Sequence, residues 1–336
     1  MDDLLSDSLT RLLEQISTPS VIRQIEAGGS AKDLWDSIET SGFLDTLVPE
    51  AQDGAGLGLT EAFPLLMAAG RFAVPAPLAQ TMLARACLAQ AGVPAPAGAI
   101  ALLGQMPTTE PGAPLHAVVP FGRVAEWLLT TIDDQAYLLP LTQGTQFESV
   151  GHGCLSVAVR WSTGLNEMTE ARAVPVAQDD IESLAAVSYA AQIAGAADRV
   201  LEMTLDYVNQ RTQFGKPIGK FQAVQNQISI MAERVWVSRM AAQLACQSED
   251  WRARPLLAAV GKARTSEAAA IVADISHAMH GAIGITEEYD LQLYTRKLRE
   301  WRHAAGAETY WESRIGEALL RQNGTALSFM CETLSA

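Results

Sequence analysis

The string Arg211-Thr-Gln-Phe-Gly-Lys-Pro-Ile-Gly-Lys-Phe-Gln222 gathers side chains suited to a nucleotide that carries a diphosphate. Arg211 offers a planar guanidinium fork for pyrophosphate and Phe214 a stacking face. Gln222, with Gln213 nearby, offers paired donors and acceptors for an adenosine edge. The same residues could instead form a basic interhelical turn packed by Phe214 and Phe221, and residue types alone leave both readings open.

Other spacings suggest chemistry less strongly. His277 and His280 form an H-x-x-H pair, and Glu300 with His303 an E-x-x-H. Such spacing puts two metal ligands on one helical face. A two-metal bundle site needs two E-x-x-H motifs and further glutamates; only one is present, so no metal is expected. Asp53-Gly-Ala-Gly-Leu-Gly58 mimics a glycine-rich nucleotide loop. It lacks a preceding strand, the G-x-G-x-x-G spacing of the third glycine and a βαβ setting, and reads as a turn feeding a helix near Thr60.

These residues need elements to hold them. Over 1–92, apolar positions at helical spacing (Leu5, Leu9, Leu12; Leu34, Ile38; Phe63, Leu66, Met67) alternate with Gly and Pro turns, predicting a small helical domain. From 93 to 178, prolines, glycines and short apolar runs such as Trp127–Thr131 and Ala136–Leu141 predict short antiparallel strands. Over 179–336, long helical patterns at Ile181–Asn209, Phe221–Glu249, Leu256–Met279 and Gly306–Arg321 predict an antiparallel four-helix bundle. The expected fold is mainly α with a β middle domain.

Composition narrows the partners. The formal charge is −14 with no Lys/Arg-rich block, which argues against nucleic acid. Cys87, Cys154, Cys246 and Cys331 are scattered without a C-x-x-C pair, arguing against a zinc or disulfide framework and for a reducing compartment. The acidic start MDDLLSD is unlike a signal peptide, and Arg71 with nearby prolines interrupts the apolar stretch around 62–79. The expectation is a cytoplasmic protein without membrane insertion.

The Arg211–Gln222 string closely resembles a signature of the acyl-CoA dehydrogenase family. Val48-Pro-Glu-Ala-Gln-Asp-Gly-Ala-Gly-Leu-Gly-Leu59 is similar to a stretch of that family's N-terminal domain, and His280-Gly-Ala-Ile-Gly-Ile-Thr-Glu-Glu-Tyr-Asp-Leu-Gln-Leu-Tyr-Thr-Arg296 to another near its C-terminus. The resemblance implies FAD as cofactor, an acyl-CoA thioester as substrate, a flavin-linked electron acceptor, and a homo- or hetero-oligomer. It gives Arg211, Phe214 and Gln222, with Gln213 nearby, contacts to FAD held mainly by a neighbouring subunit. It also brings the His280–Gly281 loop to the same adenylate.

Some positions depart from the family. Ala278 and Ala282 stand where a Gln and a second Gly are usual, Ala307 replaces a Thr, and Thr109-Glu-Pro-Gly112 is followed by Ala-Pro-Leu. The flavin-ring contacts expected of the middle domain look eroded. The family reaction removes an α-proton to a carboxylate while hydride leaves the β-carbon for flavin. Of the two places where members carry the base, one reads Ala304-Ala305-Gly306. The other is assigned to Glu267, fourteen residues ahead of Gly281 and so on the same helical face. Two readings follow: an FAD-dependent acyl-CoA dehydrogenase whose catalytic base is Glu267, or a partner subunit whose homologous neighbour holds FAD and the base. Glu267 as a surface carboxylate paired with Arg264 is the plain alternative.

Overall fold

A computed structural model describes residues 2–106, 114–149, 151–162 and 165–335. The segment around Thr109-Glu-Pro lies outside the described residues. Five helices come first: α1 (Asp2–Ile16), α2 (Pro19–Glu26), α3 (Lys32–Thr40), α4 (Leu59–Arg71) and α5 (Leu78–Gln90). Pro19 opens α2, where its missing N–H costs nothing, and Thr18 caps the helix by accepting from Val21 N–H. The 53–58 segment is a turn into α4, with Asp53 and Gly56 at positive φ and Glu61 reaching back to Gly58 N–H.

Seven short strands follow: β1 (Ile100–Gln105), β2 (His116–Val119), β3 (Trp127–Ile132), β4 (Gln135–Pro140), β5 (Thr145–Ser149), β6 (Val157–Arg160) and β7 (Arg172–Val174). They form one sheet in the order β1-β3-β4-β7 and a second in the order β2-β6-β5. The pairing is antiparallel except between β1 and β3, which run parallel with Ile100 opposite Trp127. That departs from the antiparallel expectation: β2 leaves for the other sheet, so the chain returns to β1's edge in the same direction.

The remainder is helical. α6 (Gln178–Gln210) leads through the two-residue strands β8 (Thr212–Gln213) and β9 (Lys216–Pro217) into α7 (Gln222–Ala245), α8 (Pro255–His280), α9 (Leu291–His303), α10 (Glu308–Arg321) and α11 (Ala326–Ser335). The sequence predicts four long helices here; the structure adds α9 between α8 and α10, and α11 after α10. α9 carries Arg296, Lys297, Arg299, Arg302 and His303, which hide an apolar ridge of Leu291, Tyr294, Leu298 and Trp301, all buried. α8 has the length and hydropathy to cross a membrane, but it packs against α6, α7, α9 and α10 as a bundle core helix.

α4 crosses α6 at van der Waals distance because the contacts are glycines. A Cβ on Gly195 would lie 2.0 Å from Met67 O, and one on Gly70 would lie 1.9 Å from Gln192 O. The N-terminal helices therefore seat on α6 only without side chains there. Gly195→Ala should cost on the order of 1–3 kcal/mol or more by overpacking. A urea midpoint equal to wild type would contradict this crossing.

Candidate functional site

At one end of the bundle, α6 stops at Gln210 and the chain turns back through β8 and β9, with Thr212 opposite Pro217 and Gln213 opposite Lys216. The two-residue turn Phe214-Gly215 has positive φ at both positions, 50° and 79°. This geometry suits a tight hairpin but is strained for a phenylalanine. The turn projects Phe214 outward at 92% exposure, edge-on to Phe221, over which Lys216 Nζ lies at 4.3 Å. Arg211, Gln213 and Gln222 are exposed beside it. The structure thus gathers these four sequence-predicted residues on one open surface.

The end of α8 abuts the same region, but His280 is placed differently from its neighbours. It is 4% exposed, stacked on Tyr207 at 4.3 Å and flanked by Tyr289 at 5.3 Å, with Nδ1 at 2.8 Å from Ser276 O. Burial lowers its pKa, with the Ser276 carbonyl opposing and His277 adding to the fall. Its Nε2 is buried and has no hydrogen-bond partner among the described residues. Gly281 follows at φ 65°, exposed, with nothing within 4 Å of where a Cβ would lie; it is needed for conformation. The histidine pair does not converge on a metal position: His277 Nε2 meets Thr295 Oγ1 at 3.0 Å, and no cluster of three ligand-type residues occurs among the described residues.

Glu267 is held among the helices of the bundle. On α8 it accepts from Arg264 at 2.7 Å and from Arg234 of α7 at 3.4 Å, and Arg264 continues to Glu312 of α10. Its side chain is 37% exposed. Helical phase fixes the face of a residue but not the element beyond that face, and here the neighbours are α7 and α10. The other base position, Ala305, lies in the turn from α9 to α10 at φ 53°, its carbonyl accepting from Trp311 Nε1 at 2.8 Å.

Two carboxylates that sequence reasoning did not single out as acid–base groups lie closer to the strands. Glu300 on α9 accepts from Ser156 Oγ at 2.7 Å and Cys154 Sγ at 3.0 Å, so the E-x-x-H spacing serves the junction with the β sheets. Glu182 on α6 accepts from Tyr310 O–H and pairs with Arg314 at 3.3 Å. Burial, with Glu182 beside it, pushes the Tyr310 phenol up to about 12. The E-x-x-H spacing pointed to Glu300 as a metal ligand and nothing pointed to Glu182, because the partners of both lie far away in the chain.

The exposed guanidinium, ring and amides at the bundle end suit the anionic adenylate half of a flavin dinucleotide, and the orphaned Nε2 of His280 adds a nearby acceptor. With the order of helices, strands and helices, this arrangement defines an acyl-CoA dehydrogenase-type fold. Residues 183–320 match the acyl-CoA dehydrogenase C-terminal domain model. Acyl-CoA dehydrogenase IpdE2 of Mycobacterium tuberculosis is 30% identical over 304 residues, spanning 88% of this chain and 89% of that one. The ChsE4-ChsE5 complex from Mycobacterium tuberculosis contains a chain that superposes with a TM-score of 0.82 at 21% identity, covering 96% of this chain and 98% of that chain. A chain of the Tcur3481-Tcur3483 steroid acyl-CoA dehydrogenase variant gives 0.79 at 25% identity over 95% and 99%. This chain belongs to the acyl-CoA dehydrogenase family.

Proposed function

We propose that this chain is a subunit of a heteromeric FAD-dependent acyl-CoA dehydrogenase. It supplies a half-site to flavin held mainly by a homologous neighbour that also carries the base. The observation that carries this reading is the outward display of Arg211, Gln213, Phe214 and Gln222, a set able to grip a ligand only when another surface faces it. α7 continues the same side with exposed Ile230, Trp236, Val237 and Met240, an apolar stripe suited to subunit contact.

When bound, FAD supplies the acceptor for the β-hydride of the acyl-CoA. In this reading Arg211 pairs with the pyrophosphate, Phe214 covers a ring face and Gln222, with Gln213, meets the adenosine edge. His280, packed between Tyr207 and Tyr289 and bonded to Ser276 O, would fix the end of α8 from which Gly281 turns. Ala305 offers no proton acceptor, and Glu267 is engaged by two guanidiniums, so α-proton removal falls to the partner. The relatives named as a steroid dehydrogenase and as two-chain complexes support a bulky acyl group and a hetero-oligomer. A flavin-linked electron acceptor would be the partner for turnover, and the scattered cysteines favour a cytoplasmic setting.

The test is flavin content per chain, measured for the chain alone and for the chain copurified with a homologous acyl-CoA dehydrogenase subunit from the same organism. The expected result is little flavin alone and stoichiometric flavin in the complex. Full occupancy alone, with turnover, would overturn the proposal in favour of a self-sufficient enzyme. Within the complex, Glu267→Gln should leave turnover within about twofold, because removing a general base costs roughly 10²-fold or more. A loss of that size would return the base to Glu267.

A further inference from the structure

Lys262 of α8 is 0% exposed, an unusual place for an ammonium. Its Nζ lies 2.7 Å from Ser266 Oγ, 3.0 Å from Arg302 O and 2.8 Å from Gly306 O. Three acceptors match the three N–H bonds of a protonated lysine. One carbonyl belongs to the last turn of α9, the negative end of that helix, and the other to the turn entering α10. Ser266 Oγ also lies 3.2 Å from Arg302 O, so Lys262 and Ser266 together fasten α9's end to α8. Between the two held carbonyls sits Ala305 at its left-handed φ, a conformation that must be imposed by its surroundings.

We propose that Lys262 is a proton-dependent pin of the α9–α10 turn: with its proton it holds Arg302 O and Gly306 O by charge-assisted bonds, and without it that hold weakens. The balance is simple. Loss of one proton to solvent leaves an amine with two N–H donors and a lone pair. Ser266 can then rotate its hydroxyl toward Nζ, giving up Arg302 O, while two neutral bonds replace charged ones of roughly twice the strength. The charged groups that act on it are Glu308 of α10, which favours the ammonium, and Arg302 of α9, which opposes it and is itself paired with Glu308. Burial is the larger influence and brings the amine from 10.5 down to about 7, so the pin sits near its switching point at neutral pH.

The inference stands whether the chain is a partner subunit or an enzyme. It is tested on the full chain carrying lysine labelled with ¹³C at Cε, assigned by the resonance missing from Lys262→Met. The expected result is a midpoint near pH 7 for this one lysine. Amide exchange in 303–311, corrected for its intrinsic pH dependence, should rise about tenfold through that midpoint. In Lys262→Met exchange should be flat with pH. A Lys262 midpoint with the ordinary lysines, or exchange that is indifferent to its titration, overturns the proposal. If Lys262→Met does not fold, Lys262→Arg supplies the assignment and the wild-type titration decides.

Discussion

Glu26→Ala should lower the unfolding free energy by about 3–5 kcal/mol, enough to threaten folding of a chain with ordinary stability. Glu26 ends α2 and is buried. Its Oε1 meets Lys297 Nζ at 2.6 Å and its Oε2 meets Arg296 Nη2 at 2.6 Å. Lys297 is 5% exposed, so removing the carboxylate strands a cation that water cannot reach. Arg296 also donates to His152 O at 2.9 Å, so freeing it from Glu26 reaches the strand region as well, while the bond from Arg123 to the Glu26 backbone carbonyl survives the substitution. The cost belongs to the orphaned charge more than to the bond. Glu26→Leu combined with Lys297→Met should therefore recover most of the loss, because an apolar pair of similar volume removes the stranded cation. Urea midpoints for the two single variants and the double variant form the necessary cycle. A Glu26→Ala protein within 1 kcal/mol of wild type would show that this ion cluster is hydrated in solution.

The second large effect is expected at Arg211. In the assembled complex, Arg211→Ala should weaken flavin retention by about 10- to 150-fold, equivalent to roughly 1.5–3 kcal/mol for a desolvated charge-assisted contact. Arg211→Lys should recover part of it, since a lysine brings the charge but not the planar fork. Flavin dissociation measured by the rise in its fluorescence distinguishes the variants. Unchanged retention in Arg211→Ala would remove this residue from the site and leave its exposed position without a ligand-based reason.

What the sequence discloses depends on how local the information is. The Arg211–Gln222 string was legible because hairpin and helix start lie within one short segment, and the structure keeps Arg211, Gln213, Phe214 and Gln222 together. α9 was missed because its basic residues mask the apolar ridge, and those same residues turn out to hold other elements: Arg296 and Lys297 hold α2. Helical spacing alone offers Arg264 as a partner for Glu267, three residues earlier on α8, but Arg234 comes from α7 and only the packing of the two helices brings it there. Glu182 and Glu300 owe their surroundings to residues 128 and 144 positions away. Nothing in the sequence marks Lys262, because the carbonyls that surround it come from the end of α9 and the turn into α10, 40 and 44 positions away.

The turn at Phe214 bears on how the protein is made. A large aromatic ring held out in water on a strained backbone, together with the uncovered Trp236 and Met240 farther along α7, is a surface that other hydrophobic chains will also stick to. On the partner-subunit reading, every molecule synthesised in excess of its neighbour circulates with that surface bare and becomes a client for chaperones and proteases. Its abundance in the cell is then set by the scarcer of the two chains, and soluble yield in a foreign host should follow the dose of the companion gene more closely than its own.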